Sequence, residues 1–420
     1  MIITGRKFNK SFILFMKALL IGAGFQLLLY VYVANFTKKD YISTENHYSV
    51  GSEYRMEVCT EKRNFVFIKC MKCATETMAT IIRRFGYKRV LNFVLPVKNN
   101  IYLGWPYIIE KSDYRPSKWP YNIIFEHSVY NYSVMSALMP NDTVYFTSIR
   151  EPWSRLVSSF QYFHIGDIAD VPANNFTEYV RNIEKYDKVF SDPIKHKFRG
   201  CIPDKFSLVQ NLQGHCLGMP LGFPERRRDI SKNLTAIKEY INHIEKQFSL
   251  VMIVEYMYES LILLKRMMCW SLQDILHHVS NVLGVKQNYI KGDNYNMYKN
   301  YSHVDFIIYD HFNATFWRKV NGQGQDFFDE LDHFKLIQML INQFCFVEGN
   351  TKPNGKFLTI PKSRFNGEFI FTSDECGLMS RYLLIDLREQ YDRVEQPKKK
   401  DITGEWEEPP RGCSYPIPEH

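Results

Sequence analysis

Short apolar runs alternate along the chain with stretches of helical spacing. "FVFIK" (Phe65–Lys69), "VYFTSI" (Val144–Ile149) and "LVMIVE" (Leu250–Glu255) are rich in β-branched and aromatic residues and short enough for buried strands. Behind the first, Met78, Ile81, Ile82 and Phe85 recur at one-face helical intervals. Gly86 then stands where a left-handed helix C-cap is expected. Behind the second, Trp153, Leu156, Phe160 and Phe163 share a helical face, Pro152 suits a first turn, and Ser158 falls on the opposite face. Behind the third, Leu261, Leu264 and Met268 read as core. Strand-then-helix alternation predicts an α/β fold, a central parallel sheet flanked by helices.

One apolar run has a different length. Phe12–Ala34, "FILFMKALLIGAGFQLLLYVYVA", matches a membrane span of about 20 residues rather than a signal-peptide core of about 7–15. Arg6, Lys7, Lys10 and Lys17 outweigh Lys38 and Lys39, which predicts a cytosolic N-terminus and a lumenal body. The expected organisation is a cytosolic tail (1–11), a single N-terminal transmembrane signal-anchor (12–34), a lumenal stem (35–60), a catalytic domain (61–393) and an irregular, Pro- and charge-rich tail (394–420). Neither an internal repeat nor a long Gly/Ser linker divides the body.

Composition refines this picture modestly. Lys and Arg total 53 against 45 Asp and Glu, a net charge of +8 that suits an anionic ligand or a membrane surface and is too diffuse to argue for nucleic acid. Sequons at Asn35, Asn131, Asn141, Asn175, Asn233, Asn300 and Asn313 agree with a lumenal body as glycosylation sites. In an oxidising lumen, disulfides are expected among Cys59, Cys201, Cys216, Cys269, Cys345, Cys376 and Cys413; the pairing is not legible, and the odd total of nine cysteines leaves one over.

The chemistry concentrates in "KCMKCATET" (Lys69–Thr77), between the first strand and its helix. Cys70 and Cys73 read as a redox CxxC pair in one interpretation. Zinc lacks a second ligand pair at a matching spacing, and no metal is expected. In the other interpretation the turn is an anion site: free N–H groups at a helix N-terminus, the charge of Lys72, the small Ala74, and the hydroxyls of Thr75 and Thr77. The triphosphate-binding pattern GxxxxGK[ST] is absent. A second strand end repeats the logic, with Arg150 placed to fork onto a phosphate and Ser158 to donate to it.

Together the two segments resemble the sulfotransferases that use 3′-phosphoadenylyl sulfate (PAPS), whose fold is P-loop-like, and more closely the galactose-3-O-sulfotransferase family. The resemblance rests on "FIKCMKCATET…IIRRFG", "NFVLPVKNNIYLGWP" (Asn92–Pro106), "FTSIREPWSRLVSSFQYF", "FSLVMIVEYMYESLILLKRMMCWSLQDIL" (Phe248–Leu276) and "YDHFNATFWRKV" (Tyr309–Val320). It implies a Golgi membrane enzyme of single-pass type II topology that sulfates the 3-hydroxyl of a terminal galactose on a glycolipid or glycoprotein glycan. It also implies a PAPS site of Lys72, Cys73, Ala74, Thr75, Glu76, Thr77, Arg150 and Ser158. Lys72 is expected at the bridging oxygen of the donor. His127 in "NIIFEHSVYNYS" is expected as the base, with Glu126 as the alternative. Lys98, Asn99, Tyr102 and Trp105 are candidates for the acceptor sugar; His303 and His311 are assigned no chemistry, and Glu255 is a residue to test. The family loop resembles KTHKT followed by Gly or Ala and Ser-Ser-Thr; here Cys70 and Cys73 replace its two threonines, Met71 its histidine and Glu76 a serine. A carboxylate there is unfavourable unless it turns outward or pairs with Arg83 or Lys72. Two other functions remain consistent with the altered loop: a catalytically silent carbohydrate-binding relative and a lumenal thiol oxidoreductase.

Overall fold

The computed structural model describes residues 59–97, 101–192, 206–224, 227–278, 291–348 and 356–395. The expected anchor, most of the stem, Asn35, Lys98, Asn99, Cys201, Cys413 and the tail beyond 395 lie outside these residues. Among the described residues no helix is long and apolar enough to cross a membrane. The chain divides into two compact units, one of Cys59–Ile360 with Ile370–His420, the other of Met1–Val58 with Pro361–Phe369. The described part of the smaller unit is a loop in which the Ser363 N–H donates to the Asn366 carbonyl at 2.9 Å.

The larger unit is built on four parallel strands in the order β2-β1-β3-β4. They are β1 (Phe65–Ile68), β2 (Ile123–Ile124), β3 (Val144–Ile149) and β4 (Leu250–Ile253). Every residue of β1 is fully buried, as an apolar run with helices on both faces requires. Phe65 packs on Phe146 at 5.5 Å and Phe67 stacks on Phe125 at 5.7 Å, so neighbouring strands are joined by aromatic pairs as well as by the ladder. Strand β4 stops at Ile253 and turns into a 3-10 segment, Val254–Tyr256, two residues short of the predicted end.

Helix α1 (Thr75–Lys88) buries Met78, Ile81, Ile82 and Phe85 as its spacing predicts, with Phe85 stacked on Trp270 at 4.1 Å. Gly86 does not end it. The helix continues to Lys88, and the glycine is required by close approach, because a Cβ there would lie 2.2 Å from the Phe93 ring. Arg84, also buried, donates to the carbonyls of Gln273, Asp274 and Leu276. Helix α2 (Pro152–Tyr162) starts at the predicted proline, capped by the Glu151 carboxylate accepting the Ser154 N–H at 2.7 Å. A short helix, α3 (Leu212–Cys216), lies near the C-terminal ends of β1 and β3. A terminal helix, α4 (Leu384–Glu395), runs two residues past the boundary expected at 393, and Asp392 pairs with Arg115 at 2.9 Å.

Three disulfides join described residues: Cys59–Cys269, Cys70–Cys216 and Cys345–Cys376. Among the described residues Cys73 is the free cysteine, and it is buried. Cys70 therefore bonds across the fold rather than to Cys73, which removes the vicinal pair that the oxidoreductase reading needs.

Candidate active site

The chain steps from β1 to β2 on one side of the sheet and then crosses to β3 on the other. This puts a topological switch point between β1 and β3. Ligands of open parallel sheets bind at such points, beyond the carboxyl ends of the strands. Both loops singled out in the sequence leave the sheet there.

After β1 the backbone bends sharply. Lys72 and Ala74 both take left-handed conformations, at φ of 65° and 56°. Each costs about 1–2 kcal/mol for a residue with a Cβ, and alternating conformations of this kind gather N–H groups into an anion-binding concavity. Surrounding groups hold the loop carbonyls: Ser148 Oγ donates to the Cys73 carbonyl at 2.7 Å, and Arg150 Nη1 to the Lys72 carbonyl at 3.3 Å. Helix α1 has no side-chain cap. The N–H groups of Thr75, Glu76 and Thr77 precede the first intrahelical bond, and among the described residues no acceptor reaches them. Glu76 is exposed, and its charge acts on the nearby Lys72, opposing the loss of that ammonium's proton.

Lys72 carries the loop's cation. Its Nζ sits over the ring of Tyr162, 3.4 Å from the centroid. Burial, with Arg150 nearby, pulls its pKa down to about 8 against the opposing pull of Glu76. The neighbouring thiol is inert: burial pushes Cys73 up to about 12. Arg150 follows β3, and its Nε is buried with no partner. Ser158 is half-buried, and among the described residues no hydrogen bond engages its hydroxyl. Glu255 supports the same turn by accepting the Glu151 N–H at 3.1 Å, and burial raises its carboxyl.

The second element is a charged cluster behind the loop. Lys69, Arg83 and Glu126 are all buried, with Glu126 at 2.6 Å from Arg83 and 3.4 Å from Lys69. Burial opposes the Glu126 charge, but the two cations outweigh it and hold the carboxyl below its ordinary value. With its oxygens committed to these cations, Glu126 cannot serve as the alternative base.

His127 faces the other way. It is 5% exposed, and its Nδ1 lies 2.9 Å from the Lys69 carbonyl. A carbonyl only accepts, so Nδ1 carries the hydrogen and Nε2 keeps a lone pair. Burial, with the Lys69 ammonium adding to it, drives the imidazole pKa well below its ordinary value, so the ring is neutral at neutral pH.

A parallel bridge sets Tyr102 beside His127: the Leu103 N–H donates to the His127 carbonyl at 2.7 Å, and the His127 N–H to Ile101 at 3.0 Å. The rings of Tyr102 and His127 lie 5.7 Å apart. Trp105 is 2% exposed, stacked by Tyr102 and met edge-on by Phe206. It is a wall of the site rather than an open stacking platform. Its Nε1–H, buried without a partner, is the part left for a ligand. His303 and His311 are engaged elsewhere, by the Ser231 carbonyl and by Glu245.

Three contributors escaped the sequence. Lys69 stands in the sequence only as a strand end, Tyr162 lies on the exposed side of α2, and Gln213 lies 140 residues from the loop it contacts. The assembled site can hold an anion between Lys72, the free N–H groups and Arg150, with a neutral imidazole nearby to take a proton.

A family model described as galactose-3-O-sulfotransferase matches residues 4–359. Among named relatives, galactosylceramide sulfotransferase of Homo sapiens is 31% identical over 274 residues, covering 64% of this chain and 60% of that protein. The Mus musculus counterpart is 30% identical over 330 residues, 74% of each chain. Galactose-3-O-sulfotransferase 2 of Mus musculus is 24% identical over 298 residues, 69% of this chain and 71% of the relative. The match thus spans about 60% of the length of the human relative.

Proposed function

We propose, since the chain belongs to the galactose-3-O-sulfotransferase family, that it moves a sulfuryl group from PAPS to the 3-hydroxyl of a terminal galactose on a glycolipid or glycan. The observation that carries this reading is the anion concavity at the β1/β3 switch point, with Lys72 in its loop and a neutral His127 held on the carbonyl of Lys69, where that loop begins. The residues fit the donor: unpartnered N–H groups and Lys72 suit the 5′-phosphosulfate, while the unpartnered buried Nε of Arg150 and the hydroxyl of Ser158 suit the 3′-phosphate.

The bound donor supplies an activated sulfuryl group on a phosphate leaving group. Lys72 and the N–H groups after it neutralise the charge that grows on the phosphate as the bridging S–O bond breaks. His127 Nε2 takes the proton of the galactose 3-hydroxyl as its oxygen bonds to sulfur, and Nδ1–H stays on the Lys69 carbonyl. Tyr102 and the Trp105 indole N–H are placed to orient the sugar. The test is incubation of the protein with labelled donor and galactosylceramide or lactose. Transfer to the galactose 3-position is expected, and a protein that labels no galactoside ends the proposal.

We further propose type II anchoring in the Golgi membrane with the catalytic unit in the lumen, supported by the span at 12–34 and by the three disulfides. Asn141, Asn175 and Asn233 are exposed, whereas Asn313 is half-buried inside a helix with its Oδ1 out of reach of solvent. Glycopeptide mapping of protein made in secretory cells should find glycans on the first three and not on Asn313. A protein bearing no glycan would contradict the lumenal topology.

A further inference from the structure

Gln213 is fully buried in α3, and its side-chain amide contacts both anion loops. Its Oε1 accepts the Arg150 N–H at 2.7 Å and its Nε2 donates to the Arg150 carbonyl at 3.0 Å, as a neighbouring strand would. The Cys73 thiol, protonated by its burial, donates to the same Oε1 at 3.4 Å. The segment around it is itself held. Asp305 accepts the N–H groups of Gln213 and Gly214 at 3.2 and 2.9 Å, and Cys216 is bonded to Cys70 at the head of the first loop. One short segment is therefore fixed to Cys70, Cys73 and Arg150 together.

We infer that Gln213 is a positioning residue that sets the spacing between the two anion loops, and so selects ligands bearing both a 5′- and a 3′-phosphate. This rests on the PAPS reading proposed above. The separation of the two phosphates in such a nucleotide is fixed by its covalent frame, so the protein gains from both only if its loops are held at the matching distance. With both backbone groups of Arg150 paired to Gln213, its guanidinium leaves the loop in one direction, with the Nε unpartnered. An apolar side chain of similar size at 213 would leave the part-buried Arg150 N–H and carbonyl unpaired, and the turn would shift to satisfy them.

The experiment compares 3′-phosphoadenosine 5′-phosphate with adenosine 5′-phosphate by calorimetry on the full chain. The wild-type protein should bind the bisphosphate far more tightly. In Gln213→Met that preference should fall at least about tenfold while affinity for the monophosphate stays within about threefold, because the Cys70–Cys216 bond and Ser148 still hold the first loop while the second loses its amide partner. Gln213→Glu serves if the Met variant does not fold. It keeps an acceptor for the Arg150 N–H but, once ionised, offers nothing to the carbonyl, so its preference should be weaker at pH 8 than at pH 5.5. A wild-type protein with no preference for the bisphosphate overturns the PAPS reading and this inference with it. A wild-type preference that both variants keep in full overturns the inference alone, as does equal loss of both ligands, which marks Gln213 as structural only.

Discussion

Replacing Lys72 by alanine is expected to lower turnover about a thousandfold, the scale on which a single preorganised charge on a leaving group acts. The larger part should fall on kcat and a smaller part on nucleotide affinity, because the N–H groups of Thr75–Thr77 and Arg150 remain to hold the donor. The ammonium is held at a pKa of about 8, by burial first and then by Arg150. In the free protein it therefore loses its charge as pH rises through 8, and nucleotide affinity should fall over the same range. A bound phosphate favours the charged form and moves the titration upward. Binding of 3′-phosphoadenosine 5′-phosphate measured from pH 6.5 to 9.5 should show this decline in the wild-type protein. It should be absent in Lys72→Ala and in Lys72→Arg, where the charge is missing or permanent. A Lys72→Ala enzyme of undiminished turnover would remove Lys72 from the mechanism.

His127→Ala should lower kcat by about 10²–10⁴, the usual contribution of a positioned base, while leaving nucleotide affinity unchanged. Because burial and Lys69 hold the imidazole pKa well below its ordinary value, the base form persists through mildly acidic pH. The acid limb of kcat/KM should accordingly lie below the usual histidine range, and it should vanish from the residual activity of His127→Ala. The low basicity carries a cost, since the imidazolium must form beside the Lys69 ammonium. Sulfuryl transfer tolerates this if, like phosphoryl transfer, it proceeds through a loose transition state in which the attacking oxygen needs little deprotonation. A variant that loses donor binding along with turnover would instead assign His127 a structural role.

The sheet was legible where runs are long and apolar. β1, β3 and β4 lie within "FVFIK", "VYFTSI" and "LVMIVE", β1 ending one residue and β4 two residues before the expected end, because a strand buried on both faces needs little else. β2 is two residues long, inside the apolar strand-like run Asn122–Phe125, and pairs in parallel register with Phe65 and Val66. The anion loop could be read from Lys72 and the helix behind it, since a helix N-terminus is a local property. Its covalent and hydrogen-bonded supports could not. Cys70 meets Cys216, and Gln213 meets Arg150, only once the sheet has closed, and nothing near position 70 or 150 signals either partner. Gly86 misled for the same reason: a glycine near a helix end suggests a cap, and the ring of Phe93 that demands it arrives from outside the helix. Glu126 and His127 are adjacent in sequence and opposite in role, which alternation along an extended segment produces and their letters do not show.

The Cys70–Cys216 bond encloses 146 residues of separation, and within that ring lie His127, Arg150, Ser158 and Gln213. Cys59–Cys269 closes a larger ring that contains it, so the two are nested in sequence. During biosynthesis, position 70 waits for a partner until the chain has been made past residue 216, by which time every strand of the parallel sheet except β4 has been translated. A truncated product ending earlier carries the complete "KCMKCATET" motif with no means of fastening it. Maturation of this loop is thus a checkpoint on how much of the chain has been made, and a clip inside the ring leaves both halves of the site on one covalent molecule.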